Sequence, residues 1–473
     1  MTFMLYYAFS MKQVDFENGS IAVNIAQTAF PMFVAQVLNL LYSIVDRIYI
    51  GRIPGEGTAA LGGIGLCFPV IMLITAFTNL YGSGGAPLFA IARGRKDRKR
   101  AEQIINTSFR LEMLTGFALI LIFFIFGRPI LYLFGASQDS ILYALPYLQV
   151  YIWGTVFVMI ATGMNPFINA QGFPRIGMLT VTIGALSNII LDPVFIFILG
   201  MGVRGAALAT VISQALSAVF VLRFLFGRRS AAEYRLSLST HTLLPDPGIS
   251  VSIVSLGLSA FVMQFTNGLV TAVCNHVLMG TGGDLYVSVM TIISSLRQVL
   301  EVPAFAIVEG ASPIISYNYG AEKPQRVRQS IFMMSLVSGI YTLIGWILVE
   351  TIPVPLLSIF TSDQSLIGAA LPSMHLYFFA FVFMALQHSA QTTFKALGKK
   401  KKAIFFSLFR KVVIVVPLTI LLPGLFGLGM KGVFLAEPIS NVIGGTASFT
   451  TMLLTVLPEL RRMEASRAVR VQP

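Results

Sequence analysis

Residues 33–39 read FVAQVLN and residues 261–267 read FVMQFTN, so one pattern returns 228 positions later. Further positions of the first half return after 226 or 227 residues, and they are Gly84, Pro87, Gly94, Arg100, Gln103, Pro146, Gly172 and 202–209. Their counterparts are Gly310, Pro313, Gly320, Arg326, Gln329, Pro372, Gly398 and 429–436. The sequence is therefore predicted to be a tandem duplication.

The composition is that of an integral membrane protein. Hydrophobic residues make up 56% of the chain and charged residues 11%, with a mean hydropathy of +0.80, whereas soluble proteins carry about 25% charged residues. Windows of roughly 20 apolar residues recur along the whole length, which predicts helical spans rather than an outer-membrane barrel.

Apolar runs bounded by Gly, Pro and charge clusters predict twelve spans, near 20–45, 58–92, 104–126, 140–170, 174–199, 203–227, 248–279, 285–318, 328–350, 368–396, 402–422 and 430–456. Because each half has an even number of spans, both halves enter the membrane in the same direction. We expect an all-α membrane protein of two six-helix bundles, a 6+6 parallel repeat around a central cavity. The predicted domains are 1–227, a cytoplasmic linker 228–247, 248–456 and a cytoplasmic tail 457–473.

The positions of the basic residues predict the orientation of the protein in the membrane. They cluster at 93–100, 323–328, 395–402 and 461–470, and in the linker at Arg228, Arg229 and Arg235. The positive-inside rule places these loops and both termini in the cytoplasm, and the same runs could bind anionic lipid as well. This distribution explains the excess of 33 Lys and Arg over 20 Asp and Glu without a nucleic-acid partner. Residues 1–9 do not resemble a signal peptide, and one hypothesis is that Met11 is the natural start, since the patterned sequence begins only after it; Met1 is the alternative.

The sequence lacks the motifs that several kinds of chemistry require. The chain has no phosphate-binding Gly-rich loop ending in Lys-Ser/Thr and no metalloprotease or hydrolase motif, and its four histidines are not spaced as metal ligands. Its two cysteines, Cys67 and Cys274, lie inside apolar spans. We therefore expect neither an enzyme nor a cofactor-binding protein; two like halves that rock about a central cavity instead predict secondary transport.

An acidic residue stands inside the fifth span, where residues 188–194 read NIILDPV. A carboxylate in lipid costs roughly 3 kcal/mol, so Asp192 is predicted to be functional. Asn188 lies one helical turn earlier on the same face, and Pro193 disfavours regular helix just before it. Together they suggest an ion site, although Asp192 could instead cap a helix at the membrane surface.

Other charged residues leave two interpretations open. Asp46 lies about two turns after Asn39 on one face of the first span, where it could join an ion site or simply pair with Arg47. In the second half, Arg297 and Glu301 are spaced for an ion pair within a helix, and Glu309 follows two turns later. Glu437 repeats the position of Thr210, so the polar sites of the halves are not equivalent.

Four stretches form a joint pattern, namely Pro31, Gln36, Asn39 and Asp46 with Gly51, then 188–193, 205–210 and 313–321. Together these stretches resemble the multidrug and toxic compound extrusion family. The resemblance covers essentially the whole chain and is nearest to the bacterial branch of multidrug exporters and DNA-damage-inducible-type members. It implies a monomeric drug/cation antiporter in the bacterial inner membrane.

The resemblance also implies a cation site in the amino-terminal lobe, formed by Asp46, Asn188, Asp192 and Thr210 with Asn39 adjacent. Two carboxylates close together in a low dielectric could take up a proton, or hold a sodium ion with amide and hydroxyl oxygens. The expected coupling ion is H+ or Na+, bound where a cationic drug is released.

The carboxy-terminal lobe departs from the family pattern. Where some members carry acidic residues in the seventh and tenth spans, this chain offers Gln264, Asn267, Gln387 and His388. A carboxylate site there is doubtful, and Glu301 or Glu309 would have to substitute.

The expected cargo is a lipophilic organic cation in a large apolar cavity, since 38 Phe and 20 Met supply adaptable walls. The candidate lining residues, which individually could also serve packing or lipid contact, are Gln36, Tyr151, Phe157, Met159, Phe261, Met263, Gln264 and Asn267. A flippase for lipid-linked precursors is the alternative. It would want a strongly cationic cavity, and the sequence shows few cations inside spans, mainly Arg110 and Arg297. A receptor without transport would need neither Asp192 nor a cavity.

Overall fold

The protein is built from membrane-spanning helices. The structure, a computed structural model, describes residues 13–54, 56–227, 232–236 and 245–471. In order, the long apolar helices are α1 (Ile21–Gly51), α2 (Ala59–Gly94), α3 (Arg98–Leu133), α4 (Ile141–Ala170), α5 (Pro174–Ile198), α6 (Gly202–Phe226), α7 and α8 (the two parts of Pro247–Gly320), α9 (Pro324–Thr351), α10 (Gln364–Phe378 with Phe383–Ala396), α11 (Lys400–Leu421) and α12 (Met430–Arg467). Helices suit these positions because they satisfy every backbone hydrogen bond internally.

The helices are broken at two places that affect the count of spans. Helices α7 and α8 meet at Gly283, whose φ of 68° only glycine adopts readily. The two parts of α10 join at a bend of 50°. When Pro247–Gly320 is counted as two spans and the bent α10 as one span, the described residues contain the predicted twelve spans. The all-α fold class is confirmed.

Several predicted spans are shorter than the helices. Helix α3 begins at Arg98, where the predicted span begins at 104, because the Asp97 side chain caps it by accepting a hydrogen bond from the backbone N–H of Arg100 at 3.0 Å. Hydropathy cannot detect such polar helical turns beyond the apolar run. The expected start at Met11 and the linker residues Arg228 and Arg229 lie outside the described residues.

The chain forms two compact units that exchange the beginnings of their first helices. Residues Pro31–Gly257 belong to the amino-terminal unit, while Phe16–Phe30 belong with Leu258 and the residues after it in the carboxy-terminal unit. Three contacts hold the exchanged segment in the carboxy-terminal unit. Asn318 Nδ2 donates to the Phe16 carbonyl at 2.9 Å, Arg326 Nη2 donates to the Gly19 carbonyl at 2.6 Å, and Lys323 pairs with Glu17 at 2.9 Å.

Each unit contains the same tight helix crossing. In the amino-terminal unit, a Cβ atom at Gly84 would lie 2.8 Å from the backbone nitrogen of Gly257. In the carboxy-terminal unit, a Cβ atom at Gly310 would lie 2.8 Å from the Cα of Ala29. Gly310 repeats Gly84, and Gly257 repeats Ala29 after 228 residues. The duplication therefore preserves a backbone-to-backbone contact of the kind that small residues allow in membranes.

Irregular turns interrupt three helices of the bundles. In α5 the helix is regular up to Pro193 and a wider π-helical turn, Val194–Ile198, follows it, so the disruption lies after this proline and not just before it as predicted. Similar turns occur at Met159–Gly163 in α4 and at Phe409–Val415 in α11. Such turns are frequent at functional sites.

Replacing Gly84 or Gly310 by alanine tests the crossing. Each added Cβ would overlap the backbone of the opposing helix, so we expect Gly84→Ala and Gly310→Ala to lower the free energy of unfolding by about 1–3 kcal/mol. Gly339→Ala is the matched control, because nothing lies within 4 Å of its added Cβ. Thermal unfolding of the purified variants in detergent measures the difference, and equal melting temperatures for all three would contradict the crossing.

Candidate functional site

Three helices of the amino-terminal unit bring the predicted cation-site residues together. Asp46 lies on α1, Asn188 and Asp192 on α5, and Thr210 on α6, and the Asp46 side chain is within hydrogen-bonding reach of the Asp192 carboxyl group. Asn188 Nδ2 donates to Asp192 Oδ1 at 3.2 Å and to Thr210 Oγ1 at 3.3 Å. Asp192 is fully buried, which does not fit a residue that merely caps a helix at the surface.

The site leaves oxygen atoms without donors. Asp46 Oδ1, Asp192 Oδ2 and Asn188 Oδ1 are buried and accept no hydrogen bond. A buried acceptor without a partner is costly, and two adjacent carboxylates repel each other. A small cation removes both costs, and carboxylate, amide and hydroxyl oxygens are ligands suited to a hard cation. The residues present therefore fit either a proton or a sodium ion.

Cavities of about 210 Å³ and 340 Å³ adjoin these residues. Both are lined by Tyr42, Tyr151 and Thr210; Asn188 borders the smaller one and Asp46 the larger one. These cavities have mixed apolar and polar linings, and their polar groups include the Asp46 carboxylate and the Asn188 amide.

The other predicted lining residues differ in position. In the amino-terminal unit, Asn39 and Tyr151 line the smaller cavity, whereas Met159 is fully buried with its sulfur near Gly116. The half-buried residues are Gln36 and Phe157 in that unit and Phe261, Met263 and Gln264 in the carboxy-terminal unit, where Asn267 is exposed. Their role as cargo contacts stays a prediction.

The carboxy-terminal unit contains a buried cluster of charged residues. The predicted ion pair between Arg297 and Glu301 is confirmed, with 3.5 Å between Arg297 Nε and Glu301 Oε2. Arg297 also contacts Glu437 at 2.6 Å, and His388 Nε2 lies 3.1 Å from Glu301 Oε1. Glu309 stands apart from this cluster, paired with Lys395 at 2.6 Å.

Two members of this cluster were missed by the sequence analysis. Arg410 and Lys411 lie in the π-helical turn of α11, both buried, and each contacts Glu437, at 3.0 and 3.1 Å. The expectation that cations inside spans are mainly Arg110 and Arg297 is therefore wrong. The predicted span 402–422 contained both residues, and two adjacent cations in an apolar run were the available signal.

A buried carboxyl group on α3 also escaped prediction. Glu112 has no exposed surface, and neither of its carboxyl oxygens accepts a hydrogen bond. It packs against Gly163 at the end of the π-helical turn of α4. Because an isolated buried charge is far more costly than a neutral acid, Glu112 is expected to be protonated.

Comparison with known proteins identifies the family. The MatE family model matches residues 31–194 and 259–421, two stretches that begin 228 residues apart as the internal repeat requires. The chain belongs to the MatE family. The resemblance inferred from the motifs is thus confirmed, and so is the prediction that this multi-pass membrane protein, a transporter, is not an enzyme.

The relatives agree in length and fold. Multidrug export protein MepA of Staphylococcus saprophyticus is 26% identical over 87% of this chain and 90% of its own length, and MepA of Staphylococcus aureus strain MRSA252 is 25% identical with the same coverage. A multidrug resistance MATE family transporter in an outward-facing conformation superposes with a TM-score of 0.88, at 22% identity over 96% of this chain and 99% of the other.

A second solved structure shares the MatE fold. It is a MOP superfamily transporter from Pyrococcus furiosus, described as having a binding pocket of reverse polarity that suggests a different function. It superposes with a TM-score of 0.87 at 22% identity, over 95% of this chain and 99% of the other. At this identity the likeness shows the fold alone.

Asn188→Ala tests the hydrogen bonding of the carboxylate pair. The substitution leaves Asp192 Oδ1 without its amide donor, so we expect a loss of about 1–3 kcal/mol in the free energy of unfolding. Thr182→Ala on the same helix is the control, because its hydroxyl bonds only the Met178 carbonyl one turn earlier. Thermal unfolding should separate the two variants, and an unchanged Asn188→Ala protein would argue against this arrangement.

Proposed function

We propose that the protein is a secondary antiporter that exports lipophilic organic cations in exchange for H+ or Na+. Two observations support this. The relatives that match nearly its full length are named multidrug export proteins, and the half-buried Asp46 and the fully buried Asp192 form a pair with buried, unpaired oxygens that fit a small cation.

The chemistry of exchange follows from charge. When the pair holds a proton or sodium ion, its charge is reduced and its attraction for a cationic cargo falls. When the ion leaves, the negative charge is restored and cargo binding is favoured. Coupling arises because the coupling ion and the cationic cargo repel each other when both are bound at one site. Alternating access by the two lobes would present this site to each side of the membrane in turn.

The position in the cell belongs to the same proposal. We propose that the protein lies in the bacterial inner membrane and acts as a monomer with both termini in the cytoplasm. The Lys and Arg distribution in the loops supports the cytoplasmic position of the termini. This orientation lets an inward proton or sodium gradient drive export.

Carboxamide substitutions test the role of the pair. Asp46→Asn and Asp192→Asn keep the side-chain shape but remove the charge that binds the coupling ion, so we expect transport to fall at least about 10-fold while the protein stays folded. Ethidium transport into proteoliposomes is measured under an imposed pH gradient or an imposed sodium gradient, each alone. Asp139→Asn, at an exposed loop position, is the matched control. Full transport by both site variants would reject the coupling role.

A flippase for lipid-linked precursors is the second candidate. It is favoured by one observation, the buried cations Arg297, Arg410 and Lys411, which could bind an anionic headgroup. These cations are already paired with Glu437, so we rank this candidate lower. Transfer of a fluorescent polyprenyl phosphate between leaflets of the same proteoliposomes, with no ethidium transport, would reverse the ranking.

A further inference from the structure

The charged cluster of the carboxy-terminal unit is not accounted for by the amino-terminal site. It joins four helices: Arg297 and Glu301 lie on α8, Arg410 and Lys411 on α11, Glu437 on α12, and His388 on α10. The cluster is held together by short contacts. One carboxylate oxygen, Glu437 Oε1, contacts all three cationic side chains, at 2.6 Å from Arg297, 3.0 Å from Arg410 and 3.1 Å from Lys411.

The cluster carries more positive than negative charge. With His388 neutral, three cations face two carboxylates, Glu301 and Glu437. One positive charge is therefore in surplus among side chains that are buried, as are those of Arg410, Lys411 and Glu437, or partly buried, as are the others. A surplus charge in a membrane interior must be tolerated, matched by an anion or removed by loss of a proton.

Lys411 is the member that can lose this charge. Arginine does not deprotonate in proteins, whereas a buried lysine can release a proton readily. The groups that act on it from its neighbours are Arg410 on its own helix, Glu437 on α12, Arg297 and Glu301 on α8, and Cys274 on α7. Two of these are cations, so Lys411 lies where an added positive charge would favour release.

The cluster has one accessible edge. Glu301 keeps 31% of its side chain exposed, whereas Glu437 keeps 6%. Glu301 continues a polar face of α8 on which Thr291, Ser294 and Gln298 are exposed. Ionisable side chains inside a span rarely face lipid, so a cationic ligand that approaches along this polar face would meet Glu301 first, without unpacking the cluster.

We propose that the carboxy-terminal unit exchanges one proton on Lys411 for one cationic cargo at Glu301. The cargo brings a second surplus positive charge, the Lys411 ammonium releases one proton to cavity water and becomes a neutral amine, and the cluster returns to a single surplus charge. On return of a proton to Lys411, the same repulsion expels the cargo. This step rests on the proposed export of organic cations and assigns a proton to the carboxy-terminal unit.

Three variants test the exchange. Lys411→Arg keeps the positive charge and the donors to Glu437 but cannot release a proton, so it permanently repels the cargo. Lys411→Met has neither the charge nor the proton. His388→Gln keeps a hydrogen-bond donor toward Glu301 but does not titrate. Each is purified in weakly buffered detergent, and tetraphenylphosphonium is added while a pH-sensitive dye records proton release.

The expected results differ between variants. Wild type and His388→Gln release about one more proton per bound tetraphenylphosphonium than either Lys411 variant does. Lys411→Arg binds at least 10-fold more weakly than wild type, while Lys411→Met binds as tightly or more tightly. A purely structural lysine predicts the reverse order, because arginine preserves the ion pair and methionine breaks it. If Lys411→Arg does not fold, Lys411→Met still tests the exchange. Tight binding of tetraphenylphosphonium by Lys411→Met, without the additional proton that wild type releases, supports the exchange.

The failures are distinguishable. If Lys411→Arg releases as many protons as wild type, or if His388→Gln alone abolishes release, the assignment to Lys411 is wrong while cation export stands. If binding requires chloride instead of releasing a proton, an anion matches the surplus charge and the exchange is rejected. If tetraphenylphosphonium and ethidium neither bind nor move across the membrane, both this exchange and the proposed function fail.

Discussion

The structure depends on one constraint: a charge or polar atom removed from water must find a partner inside the protein. The amino-terminal unit brings two carboxylates together, Asp46 and Asp192, and supports them with the neutral groups of Asn188 and Thr210. That arrangement leaves oxygens without donors. The packing of α1, α5 and α6 therefore gives the proposed cation site its unpaired oxygens.

The two units of the duplicated scaffold satisfy this constraint in different ways. The position of Thr210 is repeated by Glu437, so a weak hydroxyl ligand in one unit becomes a full negative charge in the other. In the carboxy-terminal unit that charge collects three cations. Gene duplication preserved the glycine crossings that hold the helices together, but the ion chemistry of the two units diverged.

Helix irregularities lie next to one set of charged groups and within the other. The π-helical turn of α5 begins at Val194, two residues after Asp192, and the π-helical turn of α11 contains Arg410 and Lys411. An extra residue in a turn rotates the side chains that follow relative to a regular helix. A cation that would face lipid on a straight helix can in this way reach a carboxylate on the neighbouring helix.

Much of the site was visible in the sequence because single acidic residues inside apolar spans are conspicuous. Asp46 and Asp192 stood out for that reason. Glu112 was equally conspicuous but went unnoticed, since nothing polar accompanies it at helical spacing. Arg410 and Lys411 were harder to interpret, because the basic residues 399–402 precede them closely and two more cations can be mistaken for the flank of a cytoplasmic loop.

The sequence by itself determined that this is a membrane protein of twelve helices, duplicated in parallel, with the acidic residues Asp46 and Asp192 inside apolar spans of its first half. Hydropathy, an even span count and a recurring pattern are local or periodic properties, and they survive without coordinates. The tertiary structure alone decided that each unit takes the start of the other half's first helix, and that Glu437 gathers three cations. Those contacts join residues far apart in the chain, and only the packing of helices against one another sets their distances.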